Sequence, residues 1–332
     1  MKKYLFVLAA VVFLATACNK ADIIDYSNVQ VKLSVTMPGT LTKSNFSLTN
    51  STNPVGGMTV TWQEGDLLTL IVFQGDNASW QANYVKAELS LPAAAEGLTT
   101  YDVSSLGTSL DLSSFDPSKN LKYVVVLGPS FNDSSKSFII WNGGLYVEPT
   151  APMSDQINYF KMIAETDVQE VPFPSGDLVL SGKLHWITSV LAIQFEIDSA
   201  ADIDYPADSY LMLDMKNSQF VDCYEPITKL SGYYASKSIR NIYFPSTAKL
   251  SDALDANKCR YFTIPADDMT VTPEQKLGGT QISFRKYYGS NTDYVSDITI
   301  DSGVTIEAGK VYGIRIHVTD TNGDGNPEFT KM

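Results

Sequence analysis

Basic residues are scarce in this chain: 24 Lys and Arg stand against 37 Asp and Glu in 332 residues, a formal net charge of -13. No local Lys/Arg cluster offsets the excess, so a phosphate backbone would be repelled, and nucleic acid is not expected as a partner. Cysteine is nearly absent, at three residues, with no CxxC and no Cys/His cluster, which argues against a zinc or redox site. The two histidines, His185 and His317, have no acid or nucleophile placed by motif to work with them. A GxSxG elbow and a glycine-rich phosphate cradle are both missing. Sustained helical spacing is missing too, apart from a turn or two around Ser251 to Asn257, and the one apolar run near the start is too short to cross about 30 Å of hydrocarbon as a helix. No catalytic site is expected, and no cofactor.

Strand pattern fills the space these absences leave. The chain is 44% hydrophobic and 11% aromatic, which is incompatible with general disorder. Apolar residues recur with period two, the spacing that sends alternate side chains to one face of a strand. Val29, Val31, Leu33, Val35 and Met37 form the first series; Val85 to Leu91, Leu191 to Ile197 and Tyr312 to Val318 repeat the pattern. Continuous runs, Leu67 to Phe73 and Tyr123 to Leu127, are short and bounded by Gly, Asp or Pro, and read as strands covered on both faces. Short strands separated by Gly, Asn, Asp and Ser turns indicate an all-β fold of sandwiches.

The first residues have the layout of a bacterial signal peptide: Lys2 and Lys3, an apolar run from Leu5 to Leu14, then small residues before Cys18. A cysteine directly after a small residue, here Ala17, is where bacterial lipoproteins are cleaved and acylated, although Ala15 stands where Leu is usual. Acyl chains on Cys18, at ~0.8 kcal/mol per buried methylene, would hold the protein on a membrane. Removing residues 1–17 leaves 315 of the 332 residues and, with Lys2 and Lys3 gone, moves the formal charge from -13 to -15. Cys223 and Cys259 then remain; in an oxidising envelope they are a candidate disulfide, but spacing alone does not bring their Cα atoms into reach, and two free thiols are equally compatible with the sequence.

At 100 to 200 residues per domain the length suggests two domains. Asp167 to Gly176, with Pro172 and Pro174, interrupts the strand pattern and is the candidate linker. The expected division is a signal peptide (1–17), a tether (18–28), an N-terminal β-sandwich (29–170), a C-terminal β-sandwich (171–319) and a polar tail (320–332). Within the tail, Asp320, Asn322 and Asp324 followed by Gly325 match the opening of an EF-hand-type calcium loop. Position twelve would be Lys331 rather than Glu, no helix frames the loop, and a solvated turn is the simpler reading. Paired acids, Asp202 with Asp204 and Asp267 with Asp268, are compatible with glycoside chemistry only if they flank a sugar; strand-turn carboxylates are far more often solvated surface.

Several segments together resemble the fimbrillin family, the pilus subunits and adhesin-like surface lipoproteins of Bacteroidetes. Thr61-Trp62-Gln63-Glu64-Gly65-Asp66 resembles the W-x-x-G-D pattern of the family's first domain. Leu184-His185-Trp186 leading into Val190 to Ile197 resembles the strands that open its second. Tyr261 to Pro265 and Ile306 to Tyr312 resemble its late strands. The resemblance implies two tandem transthyretin-like β-sandwich domains and a non-enzymatic role in fibres or adhesion at the outer membrane, with palmitate among the acyl groups on Cys18. Its implied partners are other pilus subunits, joined by β-strand addition, and a host or glycan receptor.

In the family's stalk subunits the first strand is removed by a protease, often after Arg, and replaced by the C-terminal strand of the next subunit. Here the four arginines are Arg240, Arg260, Arg285 and Arg315, so such a cut cannot release Val29 to Met37; Lys43 is the nearest basic substitute. The tail carries Gly323, Gly325 and Pro327 and makes a poor donor strand. An accessory, anchor or tip subunit is therefore expected rather than a repeating stalk subunit. A surface glycan-binding lipoprotein of a polysaccharide-uptake system is the alternative, with Trp80, Trp141, Tyr233 and Tyr234 as candidate sugar platforms, although large aromatics in sandwiches are mainly buried and the core is the simpler place for most of them. Mass spectrometry of the mature chain is expected to find a lipidated Cys18 as its first residue; an unmodified N-terminus at or beyond Cys18 refutes the anchor.

Overall fold

The computed structural model describes residues 25–38, 42–43, 64–95, 98, 100–139, 163–207, 209–215, 223–232, 239–244, 247–251, 259–266, 281–288, 291–299, 303–323 and 327–332. Apart from short 3-10 turns, its regular structure is almost entirely β, as the period-two pattern requires.

One sheet organises the N-terminal half. Strand Leu67–Phe73 lies between Tyr84–Ser90 and Leu121–Gly128, antiparallel to both. Beyond Leu121–Gly128 come Ala164–Glu165 and then His185–Trp186, and Gln169–Val171 pairs with the start of the same strand. One face of this central sheet presents Leu68, Leu70, Val72, Val125 and Leu127 to a core shared with Val29, Val31, Leu33 and Val35. The opposite face presents Ile71, Phe73, Val124 and Val126 to a second core around Trp80, Phe131, Phe138, Tyr224 and Ile227. Burial on both faces is the reason these two strands are continuous apolar runs rather than alternating ones.

A front sheet covers the first face. Its middle strand, Val29–Thr36, runs parallel to Leu178–Lys183 on one side and antiparallel to Thr100–Asp102 and Ser109–Leu110 on the other. The opposite face is covered by a sheet of two hairpins from distant parts of the chain. Phe131–Asn132 pairs with Ser137–Ile139, Cys223–Glu225 pairs with Leu230–Gly232, and the hairpins join through residues 138–139 and 223–224.

In the second half, Thr188–Ile197 lies between Lys310–Thr319, parallel to it, and Cys259–Pro265, antiparallel. Its first six residues are buried on both sides, so alternation is visible only toward its end. A separate four-stranded sheet holds Ile239–Phe244, Ser209–Met215, Gln281–Tyr288 and Asn291–Thr299 in that order. The tail differs from expectation: Glu328–Lys331 forms a strand antiparallel to 316–319. Gly323 and Pro327 sit in or beside the turn that reverses the chain, where they do not interrupt a ladder. Residues 169–171 likewise form a short strand inside the stretch expected to be linker. The turn expected at 251–257 lies outside the described residues beyond Ser251.

Two glycines mark where elements touch. Gly309 has φ +71 and faces the Trp186 ring, which a Cβ there would meet at 3.0 Å; its N–H donates to the Thr188 carbonyl. The Leu184-His185-Trp186 and Ile306 to Tyr312 segments therefore pack against each other. At Gly182 a Cβ would stand 2.5 Å from Thr166 Cγ2, so only glycine lets strand 178–183 lie this close to the central sheet. Gly182→Ala is expected to lower unfolding stability by about 1–3 kcal/mol, read as a lower urea midpoint.

Candidate strand-addition site

The N-terminal strand begins at a defined point. Asp25 accepts the Ser27 N–H through Oδ1 at 2.9 Å, which holds its carboxyl below the usual range and starts the 3-10 turn Tyr26–Asn28. The Tyr26 ring meets Phe173 edge-on at 4.9 Å, tying this entry to the segment that leads into strand 178–183. From Val29 onward each odd residue points inward, and Val29, Val31, Leu33, Val35 and Met37 are all buried. Gross burial of five such side chains stabilises the seated strand by roughly 10 kcal/mol.

Both edges of the strand are bonded, so its neighbours form the walls of a groove. On the outer, solvent-facing side Lys32 reaches Asp177 at 2.6 Å, which raises the lysine pKa, and Thr36 shares a hydroxyl hydrogen bond with Thr100 at 3.2 Å. These fix register through polar partners, while the inward residues supply the attachment.

Strand 178–183 forms one wall and is fastened independently to the central sheet. The Tyr123 hydroxyl lies 2.7 Å from the Ser181 carbonyl and 2.6 Å from Gln169 Oε1, and accepts from the Ser181 N–H at 3.4 Å. Burial pushes the Tyr123 pKa up, so the group stays a neutral hydrogen-bonding hydroxyl. Beneath Gly182, Thr166 accepts the Val125 N–H at 3.1 Å through Oγ1. Such a groove, with backbone donors and acceptors along both walls and pockets for alternate side chains, is the physical requirement for strand addition.

The residues singled out by sequence fall in several places. Ala17 and Cys18 lie outside the described residues, as do Asp324, Trp141, Tyr233, Tyr234, Asp267 and Asp268. Lys43 belongs to a two-residue strand, Thr42–Lys43, parallel to the start of 310–319. The backbones of Cys223 and Cys259 are in different sheets, and their side chains lie outside what is described. Asp320 accepts the Gly323 N–H at 2.8 Å, and Thr321 donates to Glu328 at 2.9 Å, so this segment forms the turn before strand 328–331. Among the described residues no group of three or more His, Cys, Asp or Glu is placed to hold a metal.

His317, of opposite parity to the buried Ile316 and Val318, is partnered by Asp198, 2.9 Å from Nε2. Asp202 accepts from the Ser251 N–H and hydroxyl. Trp80, a candidate sugar platform, is fully buried with its ring edge-on to Tyr84 at 5.0 Å; it fills the core under the 3-10 segment Asn77–Ala82 and presents no flat face to solvent. Asp177, Tyr123 and Gly182 escaped the sequence reading, since each acts on a partner 16 to 145 positions away.

No protein-family model matches the chain, and no curated protein matches it. Solved structures do. One, named as a candidate cell adhesion protein from Bacteroides fragilis, is 11% identical, with 91% of this chain and 97% of that chain covered at TM-score 0.41. A candidate adhesin from Bacteroides ovatus is 10% identical, covering 92% and 93%, at TM-score 0.43. A candidate polysaccharide-binding protein from Bacteroides thetaiotaomicron is 10% identical, covering 91% and 98%, at TM-score 0.40. Superposition at this level is loose. Tyr123→Phe, which leaves the outer N–H and C=O of Ser181 without their partner, is expected to cost about 1–3 kcal/mol of stability in chemical denaturation; the exposed Lys32→Ala change is expected to leave the midpoint in place.

Proposed function

We propose that this chain is a non-enzymatic cell-surface lipoprotein of the adhesin type, held on the outer membrane through Cys18 and joined to pilus subunits by β-strand addition. The observation that carries this reading is the first strand, which is fully seated in a groove bonded along both edges. The proposed units are 29–170 and 171–319, with strand 178–183 lent back to the front sheet of the first.

An accessory, anchor or tip position is favoured over a repeating stalk position by two features. The arginine positions exclude an Arg-directed cut between the first strand and the central sheet. The segment 328–331 is committed to its own sheet, with Phe329 buried against Phe195, their ring centroids 6.3 Å apart. A segment folded in this way has to be torn from its own core before it can serve a neighbour. A glycan-binding role has less support, since Trp80 is internal.

Lys32 and Val179 are register partners on the solvent face of the groove. A Lys32→Cys, Val179→Cys chain oxidised across that pair locks the first strand in place, because neighbouring strands lie about 4.8 Å apart. Incorporation into fibres is expected to fall on oxidation and return on reduction. Equal incorporation in both states overturns strand addition at this groove, while a surface-recovered chain that begins near Ser44 without lipid overturns the anchor position.

A further inference from the structure

Glu165 is a carboxylic acid in the middle of the protein with 0% of its surface exposed. It ends the short strand Ala164–Glu165 at the margin of the central sheet and accepts the Tyr224 hydroxyl through Oε1 at 2.9 Å. Tyr224, itself buried, belongs to the hairpin 223–232. Among the described residues that hairpin pairs with its neighbour at 223 with 139 and at 224 with 138. Its turn is held by Glu225, whose carboxylate accepts the Ile227 and Thr228 N–H groups at 2.9 Å each. Lys229 in the same turn has a left-handed backbone, φ +57, and its ammonium stands 3.6 Å from Glu165 Oε1 and 3.9 Å from Asp167.

We propose that Glu165 and Tyr224 form a pH-sensitive latch that seats the hairpin 223–232 on the central sheet and releases it in alkaline solution, uncovering the apolar face beneath. Glu165 Oε2 is buried without a hydrogen-bond partner, so a charge shared between the two oxygens is solvated on one side only. The groups facing it do not remedy this. Tyr224 offers one hydroxyl, and the Lys229 side chain is 47% exposed with its ammonium shared with Asp167. The Glu225 carboxyl is itself pushed up by burial and is engaged by the Ile227 and Thr228 N–H groups, with Trp80 beside it, and His185 lies across the strand pair. Ile227 and Tyr224 cover Ile71, Phe73, Trp80 and Val124, so loss of the hairpin exposes an apolar surface.

Burial, the largest influence, pushes the Glu165 pKa from an ordinary 4.5 up to about 8, against the opposing pull of Tyr224 and Lys229. The seated acid therefore binds its proton more tightly than the released one. The stabilisation is complete below about pH 4.5 and is lost progressively as the pH rises to about 8. Between pH 6 and pH 9 the opening equilibrium rises about a hundredfold.

The test is hydrogen exchange followed by mass spectrometry on the full chain at pH 6 and pH 9, corrected for the intrinsic rate. Peptides from 223–232 are expected to lose protection about a hundredfold relative to those from 67–73 and 121–128. Glu165→Gln keeps an acceptor for Tyr224 but cannot ionise, and its hairpin protection is expected to be flat across the same range. Tyr224→Phe removes a hydrogen bond that favours the charged form and is expected to move the transition to higher pH. Unchanged protection in the parent chain overturns the latch, as does a pH response that persists in Glu165→Gln. Equal loss in all strands, or a Tyr224→Phe transition that stays in place, also overturns it. If Glu165→Gln does not fold by circular dichroism, the Tyr224→Phe shift decides.

Discussion

Burial of both faces of strands 67–73 and 121–128 is the constraint on which the rest of this architecture depends. A sheet with one wet face needs one partner layer, whereas this one needs two, and the chain supplies them by different means. The front layer is gathered from the start and the middle of the first half and from residues beyond it. The back layer is assembled from two hairpins more than eighty residues apart, neither of which makes a sheet alone. The sequence distance closed by these layers explains why so many stabilising contacts are long-range and why a few buried polar groups, such as Glu165, are caught where they meet.

This arrangement separates attachment from specification. The first strand is attached by apolar side chains that any well-patterned strand supplies, while its alignment is set by polar partners at the groove rim and by the fixed position of strand 178–183. The walls of this groove have fastenings of their own through Tyr123 and the Gly182–Thr166 contact, so their place does not depend on the first strand alone.

Much of the local structure is legible in the sequence. Alternation from Val29 to Met37 gives the inward face of the first strand, and the uninterrupted run Leu67 to Phe73 announces a strand covered twice. Partnership is less legible. Nothing local to Leu178 to Lys183 says that it pairs with Val29 to Thr36 rather than with the strands that follow it, because parallel pairing is set by tertiary packing and not by turn chemistry. The tail shows a related limit: Gly323 and Pro327 read as defects in a strand, although they form and flank the turn that precedes one. Trp80 follows the preference of large aromatics for a sandwich core over its alternative as a sugar platform.

The parallel pairing of Val29–Thr36 with Leu178–Lys183 also has a bearing on the order of folding. The segment synthesised first is bonded to a neighbour made about 150 positions later, so closing this pair is a late, high-contact-order event. While the chain is being made, strands 67–73, 84–90 and 121–128 of the central sheet are complete before the front layer has its wall. For that interval the molecule has an unfilled seat and a nearby strand waiting to take it, and any competing strand that arrives before the wall is in place meets its easiest opportunity then.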